Sequence, residues 1–171
     1  MNELPRRKQL RIQGYDYSQN GYYFITICTH NKQKTLCDIV GEGLALPLIN
    51  LSPIGLIAER ELLNVTMHYS NVIIDKYVIM PNHIHLIIRI SERINPFPTK
   101  KFDISNIVGK YKAAVTRKVG NAFMHSEKPL WQRSFHDHII RDENDFLKIW
   151  NYIDTILKNG GKIVFITKSK Y

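Results

Sequence analysis

Two histidines separated by one residue, His83-Ile84-His85, are the first place in the chain where side-chain chemistry stands out. Successive side chains of a β-strand point to opposite faces, so an extended backbone sends both imidazoles one way and Ile84 the other. Neutral imidazole is a common metal ligand, and two on one rigid strand are positioned to share a cation. An isolated pair of this kind is more often two surface histidines beside a turn, because a metal site needs further ligands in suitable geometry. A second pair, His136-Asp137-His138, has an acid where the first has a hydrophobe. Nucleophiles are harder to single out. A phenol with its ordinary pKa of ~10 attacks phosphorus poorly unless it loses its proton or the phosphate is made more electrophilic. Among nine tyrosines, Tyr111 between Lys110 and Lys112 draws notice from its neighbours, although most helical tyrosines are simply half-buried aromatics. Cys28 and Cys37 lack the close pairing of a zinc site or a disulfide scaffold and read as reduced thiols.

The elements that must position these groups follow from the apolar pattern. Tyr22 to Thr29 is aromatic and β-branched, bracketed by Gly21 and Asn31, and predicts a first strand. After a glycine-containing irregular stretch, Ser52-Pro53 supplies an N-cap and a proline at the first helical position. Ile54, Ile57, Ala58, Leu62 and Val65 then recur at helical spacing. Val72 to Met80 and His85 to Ile90 predict a hairpin turning at Pro81-Asn82. Beyond a loop marked by Pro96 and Pro98, Ile104, Ile107, Val108, Tyr111, Val115 and Val119 form the stripe of a second helix, with Lys110, Lys112, Arg117 and Lys118 on its other faces. Trp131 to Ile140 predicts a last strand. Asp142, with Asp145 as a capping-box acid, starts a helix whose buried face is Phe146, Ile149, Trp150, Ile153 and Leu157, and Gly160-Gly161 ends it. Ile163 to Ile166 reads as a short added strand. The expected fold is therefore α+β, a ferredoxin-like split βαβ (β-α-β-β-α-β) with an antiparallel sheet and an added C-terminal helix. Topology alone assigns no function.

Lysine and arginine outnumber acids 24 to 15 in 171 residues, a formal charge of +9, which favours a polyanionic partner or marks a merely basic protein. The length suits one domain over residues 1–171, with a basic N-terminal arm over 1–20. No apolar run approaches the ~20 residues of a membrane span, and no signal-peptide stretch follows the basic N-terminus, so a cytoplasmic location is expected.

Longer runs carry a resemblance. Tyr77 to Ile87, with its Met-Pro-Asn-His lead, resembles the HUH (histidine, hydrophobe, histidine) signature of single-tyrosine transposases. Gly21 to Asn31 is similar to that family's first strand, and Trp131 to Arg141 resembles its WQ-x-x-F-x-x-H-x-I-R segment. Tyr152-Ile153 resembles the dipeptide that carries the nucleophile. The REP-associated tyrosine transposases are the subgroup most similar. The resemblance implies an endonuclease and strand transferase for single-stranded DNA. Tyr152 would attack, leaving a 5′-phosphotyrosine and a free 3′-hydroxyl, with His83 and His85 holding Mg2+ or Mn2+. It also implies hairpin-containing DNA as partner and leaves a homodimer open. One position departs from the family. Where a glutamine or asparagine one turn after the tyrosine would be the third ligand, this chain has Ile156. Asn159 or His138 could substitute or support. Asp154, about 200° round the helix from Tyr152, is less apt. For His138 a structural or DNA-positioning role outweighs metal binding. Expected phosphate contacts are Arg6, Arg7, Lys8 and Arg11 of the arm, Lys110, Lys112 and Arg117 of the second helix, and Arg133; a solvated charged face is the alternative. Trp131 could stack on a base or pack in the core. Two other functions stay open: a non-catalytic ferredoxin-like nucleic-acid-binding domain that lost the chemistry, and a zinc hydrolase, which would lack the H-E-x-x-H helix.

Overall fold

The computed structural model describes residues 14–40, 48–91, 103–123 and 129–158. Its elements run β1 (Gly21–Cys28), β2 (Cys37–Val40), β3 (Leu48–Leu51), α1 (Pro53–His68), β4 (Val72–Met80), β5 (His83–Ile90), α2 (Ile104–Phe123), β6 (His136–Ile140) and α3 (Glu143–Lys158). The main sheet has the order β4-β5-β1-β6, with every neighbouring pair antiparallel. Setting aside the small β2-β3 sheet, this is the expected α+β split βαβ, with β5 inserted between the two strands that α1 connects.

Alternation along the strands decides what each face of this sheet receives. Tyr23, Ile25 and Ile27 of β1 and Ile84, Leu86 and Ile88 of β5 are almost fully buried on one face, beneath Ala58, Leu62 and Val65 of α1 and the whole predicted stripe of α2. A fully buried isoleucine is worth roughly 1.5–3 kcal/mol, so this face supplies most of the driving force for folding. The other face carries Phe24, Val78, Ile87 and Ile140, and α3 covers it with Phe146, Ile149, Trp150 and Ile153. The sheet is thus sandwiched, with α1 and α2 on one side and, among the described helices, α3 on the other, where Ile49 of β3 also packs.

A β-bulge in β4, between Ile74 and Lys76, keeps this assignment consistent. Val72 and Ile74 face α1 and α2; after the extra residue so do Tyr77 and Ile79, while Val78 and Met80 turn toward α3. Lys76, buried on the α3 side, pairs with Asp154 and lies 4.0 Å from the centre of the Trp150 ring.

α1 begins as its sequence dictates. Ser52 Oγ accepts the Gly55 N–H at 3.0 Å and donates to Thr35 O at 2.6 Å, with Pro53 at the first position. Gly55 is required by close approach: a Cβ there would lie 1.9 Å from Leu36 O.

Two expectations are corrected. The stretch read as irregular contains β2 and β3, paired from Cys37↔Leu51 to Val40↔Leu48; runs of four residues are too short to show a period. The last strand is shorter than Trp131 to Ile140, because Lys112 Nζ gathers the carbonyls of Gln132, Arg133 and Ser134 at 2.5, 3.2 and 3.4 Å and bends the chain away from a ladder. Trp131 keeps only an isolated bridge to Thr29. The expected helix end at Gly160-Gly161 and the strand at Ile163 to Ile166 lie outside the described residues. No described helix is long and apolar enough to cross a membrane.

Candidate active site

Register and parity place the histidine pair. Ile84 and Leu86 are pulled into the core, so His83 and His85 share the α3 face of β5, with ring centres 4.5 Å apart and planes at 76°. Each ring is held through Nδ1. His83 Nδ1 lies 2.7 Å from Asn82 Oδ1; the carboxamide oxygen accepts, so Nδ1 donates and Nε2 keeps its lone pair. His85 Nδ1 lies 2.8 Å from Thr26 Oγ1, the residue directly opposite it on β1. The Phe24 ring stacks on His85 at 5.2 Å and 22°. Burial lowers the pKa of His83, and the Lys32 ammonium lowers it further. Burial, then the proximity of His83, pushes His85 down to about 4. Both imidazoles are therefore neutral near pH 7, the form that binds metals.

α3 brings Tyr152 over this pair. Its hydroxyl is 3.5 Å from His85 Nε2, its ring centre 5.5 Å from the His85 ring, and its edge meets Phe24 in a T-shaped contact at 6.2 Å. At 49% exposure the phenol is open to solvent. Tyr111 has the opposite fate: it is buried, donates to Ala58 O at 3.1 Å, and desolvation raises its pKa above the usual phenol range. It cannot meet DNA without opening the core.

The remaining residues singled out from the sequence have varied surroundings. His138 lies opposite Phe24 on β6, and its Nε2 is 2.7 Å from Asp145 Oδ2, whose carboxyl is held below the usual range first by that hydrogen bond. The pair ties β6 to the first turn of α3, so Asp145 serves His138, while its N–H is capped by Asp142 Oδ1 at 2.9 Å. Ile156 packs among the apolar side chains under α3, and Asp154 is committed to Lys76. Among the described residues no group of three His, Cys, Asp or Glu could surround a cation. Lys112 is half-buried on the carbonyls it gathers, Lys110 lies over the Tyr69 ring, Arg117 lines a groove of about 490 Å³ between α1 and α2, and Arg133 is exposed. Trp131 is buried beside Tyr111, not displayed for stacking. Cys28 and Cys37 are free thiols. Asn159, Arg6, Arg7, Lys8 and Arg11 lie outside the described residues.

Sequence reasoning did not single out Thr26, Asn82 and Phe24 as site residues. Asn82 sits in the Met-Pro-Asn-His turn and was open to recognition. Thr26 and Phe24 meet His85 only through strand pairing, which no local signal specifies.

Residues 17–155 match the family model described as "Transposase IS200 like". The chain belongs to the IS200-like transposase family. Its function is accordingly transposase-related. An uncharacterised protein of Haemophilus influenzae (strain Rd) is 34% identical, over 88% of this chain and 87% of its own length. A second protein of that organism, named as a candidate REP-associated tyrosine transposase, is 24% identical over 86% of this chain and 74% of its own. Two solved structures share the fold. A REP-associated tyrosine transposase bound to a REP hairpin superposes with a TM-score of 0.60 at 21% identity, covering 92% of this chain and 73% of that one. A candidate transposase from Deinococcus radiodurans R1 gives 0.50 at 18% identity, covering 89% and 98%.

Proposed function

We propose that this chain cuts and rejoins single-stranded DNA, with Tyr152 as nucleophile and His83 and His85 as ligands of a divalent cation, Mg2+ or Mn2+. The observation that carries the reading is the approach of the Tyr152 hydroxyl to 3.5 Å from His85 Nε2, on the face both imidazoles share.

The donor set fits a divalent cation in part. His83 has its Nε2 lone pair available because Asn82 Oδ1 accepts from Nδ1, His85 would have the same with Thr26 Oγ1 accepting, and a phosphate oxygen and water would complete the shell that Ile156 leaves short. When bound, such a cation supplies Lewis-acid polarisation of the scissile phosphate and neutralises developing charge. The chain's own residues do the rest. Thr26 and Asn82 fix the two rings, and Phe24 and the helix hold Tyr152 beside them. The Tyr152 oxygen forms a bond to phosphorus, the bond from phosphorus to the 3′-oxygen breaks, the phenol proton passes to solvent, and the departing 3′-oxygen takes up a proton. The product is a 5′-phosphotyrosine with the ester bond conserved. Attack by another 3′-hydroxyl reverses the step and rejoins strands without a nucleotide cofactor. Hairpin-containing DNA is the proposed partner, supported by the +9 charge and by the structural neighbour bound to a REP hairpin.

Ile156 favours one competing reading, a non-catalytic domain that binds the same DNA. Covalent capture separates the two. Wild type, Tyr152→Phe and Tyr111→Phe are incubated with end-labelled hairpin oligonucleotides and Mg2+ or Mn2+, then denatured. We expect a denaturation-resistant protein-DNA adduct for wild type and Tyr111→Phe and none for Tyr152→Phe. A wild type that binds the hairpin yet forms no adduct would leave the binding-domain reading standing.

A further inference from the structure

The geometry points to Lys32 as a phosphate-contacting residue, presented by the turn after β1 to grip the DNA strand beside the histidine pair. The inference rests on the functional reading above and adds a residue that the sequence left unassigned.

β1 ends at Cys28, directly opposite His83, so the chain leaves the strand at the rim of the site. Thr29 is fully buried and fastens the segment after β1 to the turn before His83. Its N–H donates to Asn82 O at 2.9 Å, and its hydroxyl lies 3.0 Å from the same oxygen and 2.8 Å from Gln33 O. The residue whose carboxamide orients His83 is therefore also the anchor of the turn. Within it, Lys32 N–H donates to Thr29 O at 3.2 Å, closing a single 3-10 turn over His30–Lys32.

The backbone of this turn is unusual. Asn31 and Lys32 have φ of 51° and 53°, and they are the only non-glycine residues with positive φ among those described. Asparagine tolerates the left-handed region; lysine has no such aptitude, and glycine would sit there without steric cost. Non-glycine residues persist in that region where surrounding structure over-determines them, and such positions cluster at functional sites. The Lys32 side chain is exposed, on a turn fastened to the backbone of Asn82, the residue next to His83. The ammonium adds positive charge at a rim where a polyanion must come to rest. A phosphodiester of the single strand is the anion that fits: its oxygens accept from an ammonium, and its position would set the register of the strand under Tyr152.

Glycine at position 32 separates the two roles a lysine could have. Lys32→Gly relieves the backbone and is expected to raise Tm by about 2 °C. The same substitution is expected to slow adduct formation on the hairpin oligonucleotide about tenfold, the loss of one charge-assisted contact. Lys32→Arg should restore most of the rate. Binding is followed separately in the Tyr152→Phe background, where Lys32→Gly should reduce the slope of log affinity against log salt by about 0.7, one single-strand phosphate contact. Oligonucleotides with single uncharged methylphosphonate linkages then locate the contact. At one linkage the wild type should lose what Lys32→Gly has lost, without further loss in the variant. An unchanged rate and salt slope in Lys32→Gly overturns the inference while leaving the strand-cutting reading intact. A wild type without adduct, but with a salt slope that depends on Lys32, overturns the chemistry and retains the contact.

Discussion

At the scale of single residues, the site depends on two hydrogen bonds that hold the imidazoles from behind. Asn82 and Thr26 engage the rings at Nδ1 rather than at Nε2, and so each fixes the ring through which a cation would be bound without occupying the atom that would bind it. Removing such a support commonly weakens metal affinity by about 10- to 100-fold. Asn82→Ala and Thr26→Val should therefore weaken Mn2+ binding within that range, read by calorimetry or by the Mn2+ resonance signal in the absence of DNA. Affinity equal to wild type in both variants would dissociate the pair from metal binding. The same scale shows what the sequence could and could not disclose. That His83 and His85 share a face follows from strand parity, and the face is the one opposite Ile84. That Thr26 lies behind His85 follows from the register between β1 and β5, a non-local fact with no signature in either segment. The choice of Tyr152 as candidate nucleophile came from resemblance alone, since the neighbouring lysines drew notice to Tyr111, whose hydroxyl is consumed by Ala58 O.

At the scale of elements, the placement of α3 decides whether Tyr152 can serve the histidines. The helix covers most of its sheet face, with Ile49 of β3 beside it, and Lys76 joins it on both sides of the tyrosine, through the Trp150 ring and the Asp154 carboxylate. Losing one partner of a buried pair leaves a charge without compensation, whereas apolar replacement of both is often tolerated. Since Asp154 retains some exposure, Asp154→Asn should cost about 2 kcal/mol in urea unfolding, and the double variant Lys76→Met/Asp154→Leu should recover most of it. A cost below about 0.5 kcal/mol for Asp154→Asn would show that the apolar contacts of Ile153 and Trp150 suffice to seat the helix. The three helices and the central hairpin were readable because their apolar stripes extend over many residues. The β2-β3 pair was not, having four residues in each strand, and β6 was overextended because the aromatic composition of Trp131 to Phe135 resembles a strand while its carbonyls belong to Lys112.

At the scale of the whole molecule, folding and the proposed chemistry draw on opposite faces of one sheet. The larger apolar cluster lies beneath α1 and α2, while the histidine pair is built on the face toward α3. The fold should therefore need no metal. Treatment with a chelator is expected to leave the Tm unchanged while abolishing covalent adduct formation, and saturating Mn2+ should raise the Tm by linkage, about 2.7 kcal/mol of added stability at a hundredfold excess over Kd. A chain that unfolds on chelation would make the cation a structural element.

The bulge in β4 has a consequence for how this chain can change over time. One supernumerary residue near Asp75 lets the first half of the strand and the second half each present their hydrophobes to α1 and α2. A single-codon deletion there would invert the far half, turning Tyr77 and Ile79 outward and thrusting Val78 and Met80 inward, up to the very turn that leads into His83. Reading frame can be kept and the protein still lost. Along this strand, drift must proceed by exchange of letters, because its length is counted in odd and even.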